Sequence, residues 1–178
     1  NPNRFTGAKN LIMFSRDRYQ LTAAGTFWLS ETPLIEGSNA WGEKLGRHVN
    51  WVRLKDNATG KQFRVINTHF AVRNLEHQGN SVKMINEEAA QYEDDFPQLL
   101  TGDFNANDTT PTIKALKGAG WKDTYEAVHG DEDAGSTFHG FRTPEPPAKD
   151  VQIDWIFYRG QVKPVAAKVI WDKVDGHF

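Results

Sequence analysis

One short stretch near the middle of the chain, residues 99–107, most constrains what the polypeptide can fold into. It begins with an apolar run, which stops at Gly102 and is followed by Asp103 and Asn105. The apolar run predicts a short buried strand, and glycine lets the backbone turn sharply at its end. If the strand continues to Asn105, both polar side chains lie on one face, because side chains repeat every two residues. Two such oxygen ligands suit Mg²⁺ or Mn²⁺. The alternative is a turn in which both side chains bond only their own backbone.

The composition is that of a globular protein, and it excludes several kinds of chemistry. Of the 178 residues, 38% are hydrophobic and 12% are aromatic, so we predict a single domain over residues 1–178. The absence of cysteine excludes thiolate catalysis, thiolate metal ligands and disulfides, and fits an oxidising or a reducing compartment. A formal net charge of −2 provides no global basic field for nucleic acid. No apolar run is long enough to predict a membrane span.

Hydrophobic periodicity predicts an α/β protein in which strands outnumber helices. Strands are predicted over 11–14, 25–30, 48–54, 63–70, 136–141, 151–158 and 162–171, and the apolar run from residue 99 predicts a further short strand. The segments 48–54 and 63–70 form an antiparallel hairpin with a loop of about five residues. Helices are predicted over 75–92 and from an N-cap at Thr110 to the glycines at 118 and 120. This mixture of hairpins and helical crossovers predicts a mixed or antiparallel sheet core.

Titratable side chains interrupt or end three further apolar segments. Glu31 follows the strand 25–30, His69 lies near the end of 63–70, and Asp154 lies within 151–158. Charged groups are seldom buried without a partner, so these residues are candidates for a functional site. Each has an alternative interpretation: Glu31 as a solvated turn residue, His69 as a core histidine, and Asp154 as a residue on a wet strand face.

Two other residues are candidate substrate contacts. Arg47 opens a strand and suits bidentate contact with a phosphate, although a surface cation is the simpler interpretation. His139 precedes a glycine that allows close approach of a ligand, and it could equally be a histidine of the core or rim. The acidic run 131–133 indicates a solvated loop more than a calcium site. His77 and His129 are predicted to lie at the surface.

The order of these motifs resembles the endonuclease/exonuclease/phosphatase superfamily. In chain order the motifs are Phe-Trp-Leu-Ser-Glu-Thr-Pro at 27–33, Trp41 with Arg47, Asn-Thr-His at 67–69, Gly-Asp-Phe-Asn at 102–105, Thr-Phe-His-Gly-Phe at 137–141 and Ile-Asp-Trp-Ile-Phe at 153–157. The superfamily includes pancreatic-type deoxyribonucleases, bacterial exodeoxyribonucleases, neutral sphingomyelinases and inositol polyphosphate 5-phosphatases. The resemblance runs from about residue 10 to the end of the chain. The Asn-Thr-His and Gly-Asp-Phe-Asn pair, in this order and spacing, is its most specific part.

The resemblance implies a four-layer α/β sandwich, with two central mixed or antiparallel sheets and helices outside. It also implies phosphoester hydrolysis that depends on Mg²⁺ or Mn²⁺. By motif position, Asp103 would orient or deprotonate the attacking water, and Asn105 would help to hold the metal or the phosphate. His69 would hydrogen-bond a phosphate oxygen in the transition state.

Three other residues acquire roles from the same resemblance. Glu31 would fix the tautomer and orientation of His69, and Arg47 matches a position near the substrate phosphate. Asp154 would orient a second histidine. Members of the family usually carry a metal-binding Glu in a Gln-Glu context near the start and a Ser-Asp-His motif at the end. The sequence contains neither the former before residue 10 nor the latter up to residue 178. We therefore expect the 178 residues to be part of a longer domain, with weak or absent hydrolysis if they stand alone.

The expected function is a metal-dependent phosphoesterase, with a diester slightly preferred over a monoester as substrate. A first alternative is a nuclease proper, which predicts a basic groove and salt-sensitive cleavage of DNA or RNA. A second is a non-catalytic binding module that retains the fold. It is favoured by the missing ligands and disfavoured by the presence of the candidate residues described above.

Overall fold

The computed structural model describes residues 10–138, 152–170 and 172, and within them the chain forms one mixed sheet with helices. The elements in chain order are β1 (Tyr19–Trp28), β2 (His48–Asp56), β3 (Gln62–His69), α1 (Leu75–Ala89), β4 (Gln98–Asp103), α2 (Pro111–Gly118), β5 (Lys122–Asp123), α3 (Thr124–His129) and β6 (Asp154–Arg159). The strand order is β1-β2-β3-β4-β6-β5. The predicted α/β class is therefore confirmed.

One pair of neighbouring strands is parallel and therefore needs a crossover connection. β3 and β4 are parallel, whereas the other neighbouring strands described are antiparallel. A parallel pair needs a long connection, and α1 supplies it. Asn74 is the N-cap of this helix, and its side chain accepts a hydrogen bond from the His77 N–H at 3.0 Å. As a result, the carboxyl ends of β3 and β4 lie at the same edge of the sheet.

The hydrophobic core lies between the sheet and the two longer helices. Ile66, Leu100 and Phe157 are register partners on β3, β4 and β6, and all three are buried. They pack against apolar side chains of α1 and α2, namely Val82, Ile85, Ile113 and Leu116. The opposite sheet face is more open, since Leu99 is only half-buried and Ile156 is 52% exposed. Among the described residues, no helix is long and apolar enough to cross a bilayer.

A buried arginine lies where the helix meets the sheet. Arg64 on β3 has no exposed surface, and its guanidinium carbon lies 4.7 Å from the ring centre of Trp51 and 4.8 Å from that of Tyr92. It forms an ion pair with Glu88 of α1. A planar cation can stack between two aromatic faces, and the carboxylate balances its charge. Arg64 thus links β2, β3 and the end of α1.

Several element predictions are confirmed, with shifts at their ends. The β2–β3 hairpin has its loop over residues 57–61, and α2 has Thr110 as N-cap and Pro111 in its first turn. The helix predicted over 75–92 ends at Ala89, and the strand predicted over 151–158 runs from Asp154 to Arg159. The short elements β5 and α3 were not predicted.

Other predicted strands are wrong within the described residues. Residues 11–14 form no strand, and Leu11 and Met13 are 70% and 91% exposed. Side chains rather than a strand ladder hold this segment, because the Asn67 amide donates to the Leu11 carbonyl at 3.0 Å. Residues 162–170 are also not in a strand. Of the segment 136–141, residues 136–138 form no strand and the rest lie outside the described residues.

Candidate active site

Three of the predicted site residues meet at one edge of the sheet. His69 ends β3, Asp103 ends β4 and Asp154 begins β6, and the strand register pairs His69 with Asp103 and Asp103 with Asp154. The His69 Nε2 atom lies 3.4 Å from Asp103 Oδ2. The parallel pairing of β3 and β4 produces this arrangement, because it brings two residues 34 positions apart to the same strand end.

Gly102 allows the two strands to approach at this point. Its φ is +148°, and a Cβ atom added there would lie 2.0 Å from the carbonyl oxygen of Thr68. No side chain can occupy that space, so only glycine permits the observed backbone. Thr68 is itself 1% exposed, and its register partner is Gly102. The close approach one residue earlier therefore sets the contact between His69 and Asp103.

Asp103 and Asn105 are related by a turn and not by a shared strand face. β4 ends at Asp103, and Asn105 has a φ of +48°, in the left-handed region that asparagine tolerates better than most residues. The Asn105 N–H donates to Asp103 Oδ1 at 2.8 Å, and its side-chain amide donates to the Phe70 carbonyl at 3.0 Å. The strand therefore does not continue to Asn105, because the backbone adopts a left-handed conformation at that residue.

The turn leaves Asp103 Oδ2 and the Asn105 amide oxygen outside these two hydrogen bonds. Asp103 Oδ1 is occupied by the Asn105 N–H, whereas Asp103 Oδ2 faces His69. Asn105 uses its amide nitrogen for Phe70, so its amide oxygen is turned away from that bond. The turn interpretation therefore matches the observed hydrogen bonds, and the metal-ligand interpretation stays a prediction for the two remaining oxygens. Those two oxygens are hard donors of the kind that Mg²⁺ takes, often with substrate phosphates completing its coordination.

The described residues contain no group of three or more acidic or histidine side chains that could hold a metal ion. Asp103 and Asn105 are thus a partial ligand set. Their oxygen atoms are of the kind that a hard cation binds, but two residues are too few to complete its coordination.

The environment of His69 favours its neutral form. Burial lowers the pKa of His69, and the positive charge of Arg47 lowers it further, while the Asp103 carboxylate opposes both. The side chain is 29% exposed, so one side of the ring is accessible from solvent. A neutral imidazole can donate one hydrogen bond from one ring nitrogen and accept one at the other.

Asp154 is held by a threonine from a neighbouring loop. The Thr137 hydroxyl donates to Asp154 Oδ2 at 2.8 Å and accepts from the backbone N–H groups of Ile153 and Asp154 at 3.0 Å. Partial desolvation of the carboxyl group raises the pKa of Asp154, the hydrogen bond from Thr137 opposes this, and the negative charge of Asp103 raises the pKa further. The residue as a whole is exposed, in agreement with a wet strand face. Thr137 was part of a sequence motif but was not singled out as a site residue.

The other predicted site residues are placed differently. Arg47 is 7% exposed, which makes the surface interpretation wrong, and its Nε has no hydrogen-bond partner among the described residues. Glu31 is exposed, and within the described ranges no hydrogen bond joins it to His69. Its role in orienting His69 stays a prediction. His139 lies outside the described residues.

Two histidines that were expected at the surface are not fully exposed. His77 has no exposed surface, and its ring packs edge-on against Trp41 with centres 5.4 Å apart. His129 is half-buried, with Nε2 2.8 Å from the Ala167 carbonyl oxygen. The prediction that His77 lies at the surface is therefore wrong, and its spacing of five residues from Val82 gave no sign of burial. His77 precedes Gln78, which lies four residues before Val82 and therefore shares its apolar face of α1.

Comparisons with known proteins identify a matching family and several similar structures. The profile of the Endonuclease/Exonuclease/phosphatase family matches residues 4–175. An endonuclease/exonuclease/phosphatase from Bacteroides vulgatus is 32% identical, with a TM-score of 0.75 over 83% of this chain and 57% of that chain. A mannosyl-6-phosphatase from Bacteroides thetaiotaomicron is 28% identical, with a TM-score of 0.74 over 83% and 55%.

A functionally unknown conserved protein from Enterococcus faecalis is 27% identical, with a TM-score of 0.77 over 93% of this chain and 64% of that chain. The present chain thus spans less than two thirds of each of these three structures. A comparison with curated protein sequences found no match.

Proposed function

Since this chain belongs to the endonuclease/exonuclease/phosphatase family, we propose that it is a divalent-metal-dependent phosphoesterase that uses activated water. The observation that supports this most directly is the sheet edge where His69, Asp103 and Asp154 are register partners. A carboxylate with a free oxygen beside a neutral histidine is a pair suited to general acid–base catalysis.

Each residue at the edge has a proposed part in the reaction. Asp103 orients or deprotonates the attacking water through Oδ2, the oxygen that the Asn105 N–H leaves free. His69 donates a hydrogen bond to a phosphate oxygen, and Arg47 adds positive charge near it. Asp154, fixed by Thr137, orients a further histidine that is not among the described residues.

Asp103 and Asn105 are also the proposed ligands of Mg²⁺ or Mn²⁺. Such an ion, when bound, neutralises charge on the phosphate oxygens and polarises the phosphorus centre. The Asn105 amide is oriented for this purpose by its own hydrogen bond to the Phe70 carbonyl at 3.0 Å.

We propose the same four-layer sandwich that the resemblance implies. The support is the open face of the sheet, opposite α1 and α2, where an apolar cleft of about 540 Å³ borders Asp103 and Asp154. Leu99, Ile156 and Val169 are among the residues that line this cleft. A second sheet packed on this face would remove that apolar surface from water.

Two substrate classes are candidates. A phosphodiester is the class favoured by the sequence resemblance. A phosphate monoester of a sugar is favoured by the mannosyl-6-phosphatase from Bacteroides thetaiotaomicron, which is 28% identical to this chain. A nuclease activity has less support, because the formal net charge of −2 provides no overall attraction for a polyanion.

The proposal is tested by hydrolysis of bis(p-nitrophenyl) phosphate, p-nitrophenyl phosphate and mannose 6-phosphate, with Mg²⁺, with Mn²⁺ and with EDTA. Asp103→Asn keeps the shape of the side chain but removes its charge and basicity, and should lower kcat/KM by about 10²–10⁴-fold. Asp56→Asn is the matched control. Asp56 also accepts backbone N–H bonds, from Ala58 and Thr59 at 2.9 Å, but it lies at the opposite end of the sheet.

Metal-dependent turnover that is lost in Asp103→Asn and kept in Asp56→Asn supports the proposal. Turnover that survives EDTA, or that Asp103→Asn leaves intact, contradicts it. If no substrate is turned over while Mn²⁺ still binds, the non-catalytic alternative is favoured for these 178 residues.

A further inference from the structure

A buried glutamine connects three segments that surround the sheet edge. Gln78 lies on α1 and is 1% exposed. Its Nε2 group donates to the Ala71 carbonyl at 2.8 Å and to the Asn105 carbonyl at 3.4 Å. Its Oε1 atom accepts from the Thr112 hydroxyl at 2.7 Å. Each polar atom of this side chain thus has a protein partner.

The three partners belong to the segments that shape the candidate site. Ala71 follows β3 directly after Phe70, whose carbonyl accepts the Asn105 side-chain amide. Asn105 is the left-handed residue that closes the turn onto Asp103. Thr112 lies in the first turn of α2, the helix that continues the chain after that turn. Gln78 therefore bonds to both loops at the site and to the helix behind them.

We propose that Gln78 is a positioning residue, which holds the Asn105 backbone in its left-handed conformation and thereby aims Asp103 and the Asn105 amide at the sheet edge. The catalytic meaning of this role rests on the proposed function, but the structural role does not. Two carbonyl oxygens face one NH₂ group, so the position requires a side chain with two hydrogens to donate and one oxygen to accept. Among natural side chains of this length, only glutamine supplies both.

The chain offers a matched control for this position. Gln98 is also a fully buried glutamine, and its Nε2 group donates to the Ala89 carbonyl at 3.0 Å. It begins β4, whereas the candidate site lies where β4 ends. Gln98→Met and Gln78→Met remove the same polar group from the interior and leave buried partners unpaired. Only Gln78→Met removes a bond to Asn105.

The experiment is hydrogen–deuterium exchange of the backbone amides over residues 103–107, measured where each variant is fully folded. The readout is the Asn105 N–H, which donates to Asp103 Oδ1 at 2.8 Å. In Gln78→Met this segment should exchange about tenfold faster than in the parent chain, because the turn loses a buried bond. In Gln98→Met it should exchange at the parental rate.

Thr112→Val is a second, milder variant, and it tests the role of Gln78 if Gln78→Met does not fold. It removes only the donor to Gln78 Oε1, and it should speed exchange over 103–107 by a smaller factor. Parental exchange in this segment for both Gln78→Met and Thr112→Val overturns the inference, whatever the activity.

Measurements of kcat and KM distinguish a failure of this inference from a failure of the proposed function. With the metal-dependent assay above, Gln78→Met should lower kcat by about 10–100-fold with little change in KM, as for residues that orient catalytic groups. Gln98→Met should keep the parental kcat at equal folded fraction. A parent chain without activity would count against the proposed function, while the exchange result would still support or overturn the role of Gln78.

Discussion

Replacing Gly102 with alanine should be among the most damaging single-methyl substitutions in this chain. The added Cβ would lie 2.0 Å from the Thr68 carbonyl oxygen and 2.9 Å from its carbon. Real Cβ atoms do not approach closer than 3.0 Å, so β3 and β4 must separate by about 1 Å. The obstacle is backbone, and Thr68 is 1% exposed between two neighbouring strands. No flexible side chain can move aside.

The expected cost follows from two separate effects. Forcing extra volume into a packed region costs about 1–3 kcal/mol. Holding an alanine at a φ of +148° adds a strain of about 1–3 kcal/mol. We therefore expect Gly102→Ala to lower the free energy of unfolding by about 4 kcal/mol, a large share of the stability of a typical domain. For a chain of 178 residues this corresponds to a fall in Tm of about 8–16 °C.

The assay is urea denaturation followed by tryptophan fluorescence, with thermal unfolding as a second measure. Gly79→Ala is the control. Gly79 lies within α1, and an added Cβ there meets no atom within 4 Å. That substitution should stabilise the chain by about 0.5–1 kcal/mol, because glycine is a poor helix former. If Gly102→Ala unfolds within about 1 kcal/mol of the parent chain, the argument from the Thr68 contact is refuted.

Two further predictions concern charged groups away from the sheet edge. Arg64→Lys should lower the free energy of unfolding by about 2 kcal/mol in urea denaturation, because an ammonium cannot stack on both flanking rings; the exposed Arg16→Lys should change it little. Hydrogen bonds from the Thr59 N–H and from Arg18 lower the pKa of Asp56 from 3.8 to about 2. The ionised Asp56 carboxylate therefore stabilises the folded chain fully above pH 3.8, and this stabilisation is lost as the pH falls towards 2. In Asp56→Asn the free energy of unfolding should vary less with pH over that range.

Apolar periodicity was enough to predict the elements that form the core. The apolar run before Gly102 predicted the strand that forms β4, the periodicity over 75–92 predicted α1, and the segments 48–54 and 63–70 predicted the β2–β3 hairpin. The same signal failed for residues 11–14 because an apolar run indicates burial but does not reveal a partner strand. Only two residues form β5, which is too short to produce a periodic pattern.

The candidate site was predicted as a set of residues, but its geometry was not. Motif order pointed to His69, Asp103 and Asp154, and the register brings these three together. The position of Asn105 depends on a single backbone dihedral angle, which residue type alone does not determine. Gln78 was overlooked because periodicity was read from apolar residues, whereas this polar residue occupies a core position and satisfies its hydrogen bonds there.

The parallel pairing of β3 with β4 has a consequence for the order of folding. β1, β2 and β3 follow one another as an antiparallel meander, so their contacts are local and can form early. The β3–β4 pairing must wait until the intervening helix has closed a long loop, whose entropy is lost before the contacts form. His69 lies on β3, which belongs to the early meander, whereas Asp103 lies on β4, which joins the sheet later. The sheet edge that carries the candidate site therefore exists only after two non-local pairings, β3 with β4 and β4 with β6, are complete.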